Sequence, residues 1–102
     1  MSIITEYEES ICQKAIRIFG IADQTGMLSE ECGELLSAIN KFKRGRIERE
    51  EVAQEIADVI IMCLQMADYF GYYDVKDAIS NKLSRLEERM NKTNKRVEAA
   101  TK

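Results

Sequence analysis

The sequence has no histidine, no proline and no tryptophan among its 102 residues. Without histidine there is no Ser-His-Asp triad, no Cys-His dyad, no His-liganded zinc site and no Glu-x-x-His motif of the di-iron helical bundles. Any metal must then be bound through oxygen, and hard cations prefer oxygen ligands, so Mg²⁺ ranks first, with Mn²⁺ as a possible substitute.

The sequence also has no long apolar run, so we expect neither a membrane span nor a signal peptide. The net charge of −3 argues against a nucleic acid polymer as an electrostatic partner. The three cysteines are widely spaced and form no Cys-x-x-Cys pair. We therefore expect a cytoplasmic protein in which Cys12, Cys32 and Cys63 are reduced and buried in the core.

Apolar residues recur with a period near 3.6 almost throughout, which together with the absence of proline predicts an all-α fold. The length predicts one domain over residues 1–102, with a core at about 11–90 and a frayed tail at 91–102. We expect a break or a kink in the chain at Asp23–Gly26 and a C-cap at Gly45. The predicted helices run from about Ser2 to Phe19, Met27 to Lys43, Arg49 to Phe70, and Tyr73 or Asp74 to Met90, with Asp74 as a plausible N-cap.

Two short acidic segments are the most informative feature. The first reads Glu-Glu-Cys-Gly-Glu over residues 30–34, and the second reads Glu-Ile-Ala-Asp over residues 55–58. Acids three residues apart share one face of a helix. On helical wheels, Glu31 and Glu55 fall within apolar stripes, while Glu34 and Asp58 each lie about 60° to one side.

If the second and third helices pack antiparallel, these four carboxylates converge. Isolated ionised carboxylates in apolar surroundings are costly, so a divalent cation between them is the favoured interpretation. The alternative is a solvated acidic face with salt bridges, which suits acids such as Glu48 and Glu87 better than it suits Glu31 and Glu55.

The third helix carries two apolar surfaces. One contains Val52, Val59, Cys63, Met66 and Phe70, and the other contains Ala57, Ile61 and Leu64. A helix that is apolar nearly all round is usually buried on all sides, which a small bundle does not easily achieve alone. This predicts a homo-oligomer with the third helix near the interface. The alternative is a helix central to the monomer.

The fourth helix combines an apolar stripe with cations. Its stripe contains Val75, Ile79, Leu83, Leu86 and Met90. Lys82 lies at the edge of the stripe, with Arg85 on the same flank, so both are candidates for contacts to a substrate phosphate. The alternative is a lysine that extends its ammonium group into solvent.

The two acidic segments, separated by 20 residues (35–54), resemble the Glu-Glu-x-x-Glu…Glu-x-x-Asp motif of the MazG-type nucleoside triphosphate pyrophosphohydrolases. The similarity extends over about residues 11–90 and includes the segments Phe19-Gly20…Gln24, Ala38–Phe42 and Lys82–Leu86. It implies a four-helix MazG-like bundle completed as a dimer or tetramer.

The resemblance also implies an activity: Mg²⁺-dependent cleavage of an NTP or dNTP between the α and β phosphates, giving a monophosphate and pyrophosphate. It implies Mg²⁺ bound by Glu31, Glu34, Glu55 and Asp58. Glu30 and Glu34 are the candidate catalytic acids. The candidate phosphate contacts are Lys41, Lys82 and Arg85.

The sequence is also compatible with two other functions. Phosphoribosyl-ATP pyrophosphohydrolases share the fold and would use the same acids. A non-catalytic helical dimer that binds a partner, or only a metal, is the alternative from a different class.

Overall fold

The computed structural model describes residues 3–101, and these residues form four α-helices and no strand. The prediction of an all-α fold is therefore confirmed. The bounds of the third helix agree with the prediction at both ends. In chain order the helices are α1 (Glu6–Phe19), α2 (Ile21–Lys43), α3 (Arg49–Phe70) and α4 (Tyr72–Thr101).

The chain forms two compact units, the first ending at Phe70 and the second beginning at Gly71. In the first unit α3 packs against both α1 and α2, and α1 also contacts α2. The second unit is α4, which has no buried residue. None of the described helices is long and apolar enough to cross a membrane.

A capping box fixes the start of α1. The Glu8 amide donates to the Thr5 hydroxyl at 3.1 Å, and the Thr5 amide donates to the Glu8 carboxylate at 2.9 Å. This reciprocal pair satisfies two amides that would otherwise have no helical partner, so the helix begins at Glu6. The predicted start near Ser2 is wrong for residues 3–5, and Ser2 itself lies outside the described residues.

The break between α1 and α2 lies at Gly20, and the predicted break at Asp23–Gly26 is wrong. Gly20 has a φ of 86°, a conformation that side-chain-bearing residues rarely adopt, and its amide donates to the Ile16 carbonyl at 3.0 Å. The turn is thus complete before Asp23, and all four residues of the expected break lie within α2.

The end of α2 is a Schellman motif centred on Gly45, which has a φ of 72°. The Gly45 amide donates to the Phe42 carbonyl, and the Arg46 amide donates to the Lys41 carbonyl, each at 2.9 Å. The predicted glycine cap is confirmed, with Arg44 as the last half-helical residue.

Alanine substitutions at two glycines should have opposite effects on stability. Gly26→Ala is expected to stabilise by about 0.5–1 kcal/mol, because alanine is the better helix former and a Cβ atom there meets nothing within 4 Å. Gly45→Ala should destabilise by about 1 kcal/mol, because alanine is strained at positive φ. Urea unfolding of both variants measures this, and a Gly45→Ala variant as stable as the wild type would contradict the cap assignment.

The second unit departs from prediction at both of its ends. Helix α4 begins at Tyr72, so Asp74 lies in its first turn and is not the N-cap. The helix continues to Thr101, well beyond the predicted end at Met90, and Lys102 lies outside the described residues. Six of the eleven described residues after Met90 are good helix formers, which offsets the scarcity of apolar residues there.

The core of the first unit is thin. Only Cys12 of the three free cysteines is buried; Cys32 is half-buried and Cys63 is exposed, so the prediction of three buried cysteines is wrong. Phe70 is likewise 68% exposed. The buried residues of α3 do not match the predicted apolar face. Gln65 and Ala67 are buried, and neither belongs to that face. Among positions 3–101, the buried residues are Cys12, Ile16, Gln24, Ala38, Met62, Gln65 and Ala67.

Candidate active site

Three of the four predicted metal ligands meet where α2 and α3 pack together. Glu31, Glu34 and Glu55 each offer a carboxylate oxygen, and these oxygens all lie within 4.8 Å of one another. Residues 44–48 connect the two helices and reverse the chain, so the helices run antiparallel and the two acidic segments come to the same level. Glu31 and Glu55 are half-buried, as the wheels predict for acids within an apolar stripe, while Glu34 is exposed.

Burial and mutual repulsion both act on this cluster. Burial raises the pKa of Glu31, and the negative charges of Glu34, Asp58 and Glu55 raise it further. Burial also raises the pKa of Glu55, again with contributions from Glu34 and Asp58, while the Lys41 ammonium group lowers it. The folded chain therefore disfavours the ionised forms of its two half-buried glutamates.

Asp58 occupies a different place from the other three. It is exposed, and it does not belong to the set of oxygens within 4.8 Å. Its charge nevertheless raises the pKa of both Glu31 and Glu55. Asp58 thus faces the cluster from α3, and its role as a fourth ligand stays a prediction.

The donor set fits a hard divalent cation. The Oε2 atoms of Glu31 and Glu55 are buried and have no hydrogen-bond partner among residues 3–101. Unpaired buried carboxylate oxygens are costly, and several of them facing one another are more so. A cation that takes oxygen ligands removes both penalties at once, and Mg²⁺ and Mn²⁺ are the ions that such ligands suit.

A cavity of about 320 Å³ opens beside the cluster. Glu34, Lys41 and Glu55 line it, so one predicted phosphate contact lies in the same cavity as two predicted metal ligands. The remaining lining residues are Ser37, Ala38, Ile47, Glu51 and Gln54. A lysine ammonium group at the edge of a carboxylate cluster is suited to contact an anionic group such as a phosphate.

Replacing Lys41 is expected to weaken substrate binding. If Lys41 contacts a substrate phosphate as predicted, Lys41→Gln removes a charge-assisted hydrogen bond, and kcat/KM for a triphosphate should fall about tenfold or more. Lys43→Gln is the matched control, because Lys43 is also exposed near the end of α2 but does not line the cavity. Equal losses in both variants would contradict a specific role for Lys41.

Three further predicted site residues are exposed. Glu30 is exposed and lines a separate cavity with Gln24 at the N-terminal half of α2. Lys82 and Arg85 are exposed on α4, in the second unit. Their contacts to a substrate stay predictions.

The sequence interpretation assigned no site role to the polar residues around the acids. Ser37, Glu51 and Gln54 line the cavity with Lys41, and they occupy ordinary polar positions of amphipathic helices. Gln24 and Gln65 are buried, although glutamine seldom is. Their spacing could have indicated a role at the site. Gln24 lies seven residues before Glu31, and Gln65 lies seven residues after Asp58, so each glutamine is close to the helical line of an acid.

Comparison with known proteins gives one match. Residues 21–94 match the family model described as MazG nucleotide pyrophosphohydrolase domain. The matched range begins with α2 and extends into α4, so it takes in residues of both units. No curated protein and no solved structure gives a significant match to the chain.

Proposed function

Because the chain belongs to the family of MazG nucleotide pyrophosphohydrolase domains, we propose that it hydrolyses the α–β phosphoanhydride bond of an NTP or dNTP. The products would be a nucleoside monophosphate and pyrophosphate. One observation within the chain supports this proposal most: the three carboxylate oxygens of Glu31, Glu34 and Glu55 lie within 4.8 Å of one another beside a cavity that also contains a lysine.

The proposed cofactor is Mg²⁺, with Mn²⁺ as a substitute. Glu31, Glu34 and Glu55 would hold it, with Asp58 as the fourth carboxylate. When bound, such a cation neutralises charge that develops on phosphate oxygens and makes water more acidic. Glu31 and Glu55 are half-buried, so a cation held between them would be partly shielded from water, and this shielding strengthens its electrostatic effect.

The remaining steps belong to residues of the chain. Glu34 is the carboxylate better placed to orient the attacking water, because it is exposed and lines the cavity with Lys41. Water adds to one phosphorus of the α–β bond, its proton passes to a carboxylate, and the bridging P–O bond breaks. Lys41 would pair with a phosphate oxygen. Glu30, which lines a separate cavity, is an alternative general base.

We further propose that the active form is a homo-oligomer. Ala57 and Ile61 of the predicted second surface of α3 are exposed. An apolar groove of about 350 Å³ follows this face, lined entirely by isoleucine and alanine, namely Ile3, Ile4, Ala53, Ile56, Ala57, Ile60 and Ile61. Exposed apolar surface of this kind marks interaction sites. Sedimentation equilibrium should give a mass of at least two chains, and a monomer at micromolar concentration would contradict the proposal.

A substrate panel tests the proposed activity. Purified protein with Mg²⁺ is incubated with canonical and modified NTPs and dNTPs and with phosphoribosyl-ATP, and loss of substrate is followed with and without a chelator. We expect turnover of at least one NTP or dNTP that requires the metal. Turnover of phosphoribosyl-ATP alone would assign the other activity of the fold. No turnover of any compound would favour a binding module.

A further inference from the structure

The first unit buries two uncharged polar side chains, Gln24 and Gln65. Gln65 is 4% exposed and Gln24 is 7% exposed, and the other buried residues among positions 3–101 are apolar. Neither glutamine takes part in the chemistry proposed above. Buried polar side chains are normally hydrogen-bonded, so each of them should have a partner.

Only one of the two polar atoms of the Gln65 side chain has a hydrogen-bond partner among residues 3–101. Its Nε2 atom donates to the Met62 Sδ atom at 3.8 Å, which is a weak hydrogen bond. Its Oε1 atom is buried and has no partner among residues 3–101. A leucine or methionine would fill the same space without this cost. The free acceptor therefore suits a donor that residues 3–101 do not supply.

Each glutamine lies close to the helical line of one acid from the two acidic segments. Gln24 precedes Glu31 by seven residues, and Gln65 follows Asp58 by seven residues. Seven residues turn a helix through about 700°, within about 20° of two full turns, and advance it by about 10 Å. Because α2 and α3 run antiparallel, both glutamines lie toward the same end of the helix pair, displaced from the cluster in the same direction.

A cavity lies beside Gln24 at this end of α2. A cavity of about 610 Å³ is lined by Gln24 together with Phe19, Met27 and Glu30, the last of which adjoins the acids of the cluster in sequence. The cavity also contains Ala22, Asp23 and Gly26. Its size is within the range of small-molecule sites, and its aromatic and sulfur-containing side chains are suited to the face of a flat ring.

We infer that Gln24 and Gln65 read the edge of the nucleobase. This inference rests on the proposed function, because it takes the position of the phosphates from the acidic cluster. The displacement of about 10 Å is on the scale of the nucleoside that separates the α-phosphate from the far edge of its base. Gln65 Oε1 accepts a hydrogen bond from a ring N–H or an exocyclic amino group, and the Gln24 carboxamide supplies a second contact.

Such a pair determines which base is accepted. A site built to hydrogen-bond a substrate group rejects an analogue that lacks the group, because the buried polar atom is then left unpaired. The best substrate of this chain is thus a nucleotide whose base presents a donor to Gln65. Methylation of that donor nitrogen should abolish the preference.

The experiment compares Gln65→Leu with the wild type on the substrate panel. Values of kcat/KM are measured for each base, and for ribose 5-triphosphate, which has no base. Gln65→Leu should lose about tenfold to a hundredfold on the preferred nucleotide, with little change on ribose 5-triphosphate, so the ranking of bases flattens. Gln65→Met serves as a second variant if the leucine variant does not fold. Gln13→Leu, a half-buried glutamine of α1, is the matched control.

The outcomes separate the two proposals. If the wild type hydrolyses NTPs and the leucine or methionine variant keeps the same ranking of bases, the inference is wrong and the proposed function stands. Equal losses on nucleotides and on ribose 5-triphosphate would also overturn the inference, since they would indicate a general structural role. If the wild type hydrolyses no triphosphate, the proposed function itself fails.

Discussion

Replacing Glu55 by glutamine is expected to lower kcat/KM by about a hundredfold or more, with little change in the fold. Glu55 is the residue of α3 among the three whose oxygens lie within 4.8 Å, so its loss leaves the cation with two of these three ligands and with the proposed fourth ligand, Asp58, which is exposed. A metal that stabilises transition-state charge contributes several kcal/mol, and each 1.36 kcal/mol corresponds to about a factor of ten in rate.

Steady-state kinetics at saturating Mg²⁺ measures this effect, and circular dichroism checks the fold. Glu50→Gln is the matched control, because Glu50 is an exposed acid of the same helix that does not line the cavity. We expect near-wild-type kinetics from the control. A Glu55→Gln variant that retains more than a tenth of the activity would contradict the assignment of Glu55 as a ligand.

The same substitution should stabilise the metal-free protein at neutral pH. Burial and the neighbouring acids raise the pKa of Glu55 in the folded state. The folded state then binds more protons than the unfolded state as pH rises through the interval between the two pKa values, so stability falls across that interval and stays lower above it. Glutamine cannot ionise, so the variant avoids this loss.

Chemical denaturation in the presence of a chelator tests the expectation. Glu55→Gln should be more stable than the wild type at pH 7 and should differ little below about pH 4.3, where unperturbed glutamates become protonated. Glu31→Gln should behave alike, because burial raises the pKa of Glu31 too. A Glu55→Gln variant that is less stable at pH 7 would mean that the carboxylate has a stabilising partner.

Added Mg²⁺ should reverse the order of stability. Binding to the folded state alone contributes RT ln(1 + [L]/Kd), about 2.7 kcal/mol when free metal is a hundredfold above Kd. The wild type should gain this stability, and Glu55→Gln should gain much less. Equal gains in the two proteins would locate the metal elsewhere.

The sequence predicts most of this site because its signal is local and repeated. Glu31 and Glu55 each interrupt an apolar stripe, and a charged residue in a stripe has few explanations other than a ligand or a partner. The bounds of α3 were predictable for the same reason: the 22 residues of the helix keep one period, and Gly71 comes directly after them.

The wrong predictions involve choices that depend on tertiary structure. Gly26 is a weak helix former, yet it lies inside α2. The chain already breaks at Gly20, so no second break is needed to separate α1 from α2. Packing of α2 on α3 then stabilises the longer helix. The predicted start of α1 was too early because apolar periodicity does not show the capping box, in which the side chain of Glu8 pairs with Thr5.

The predicted buried face of α3 differs from the observed one. The wheel ranks positions by hydrophobicity, so it placed Phe70 inside and Gln65 outside, whereas the helix buries Gln65 and exposes Phe70. Hydrophobicity alone does not anticipate a buried glutamine, because a glutamine is buried for the sake of a hydrogen-bond partner and not for its apolar surface.

The position of the broken bond tests the central claim most directly. A single reaction of the best substrate with wild-type protein and Mg²⁺ is followed by ³¹P NMR, with Glu55→Gln run in parallel. The proposed mechanism predicts one nucleoside monophosphate and one pyrophosphate for each triphosphate consumed, with formation of both products slowed about a hundredfold or more in the variant. Release of orthophosphate with a nucleoside diphosphate would contradict the claim.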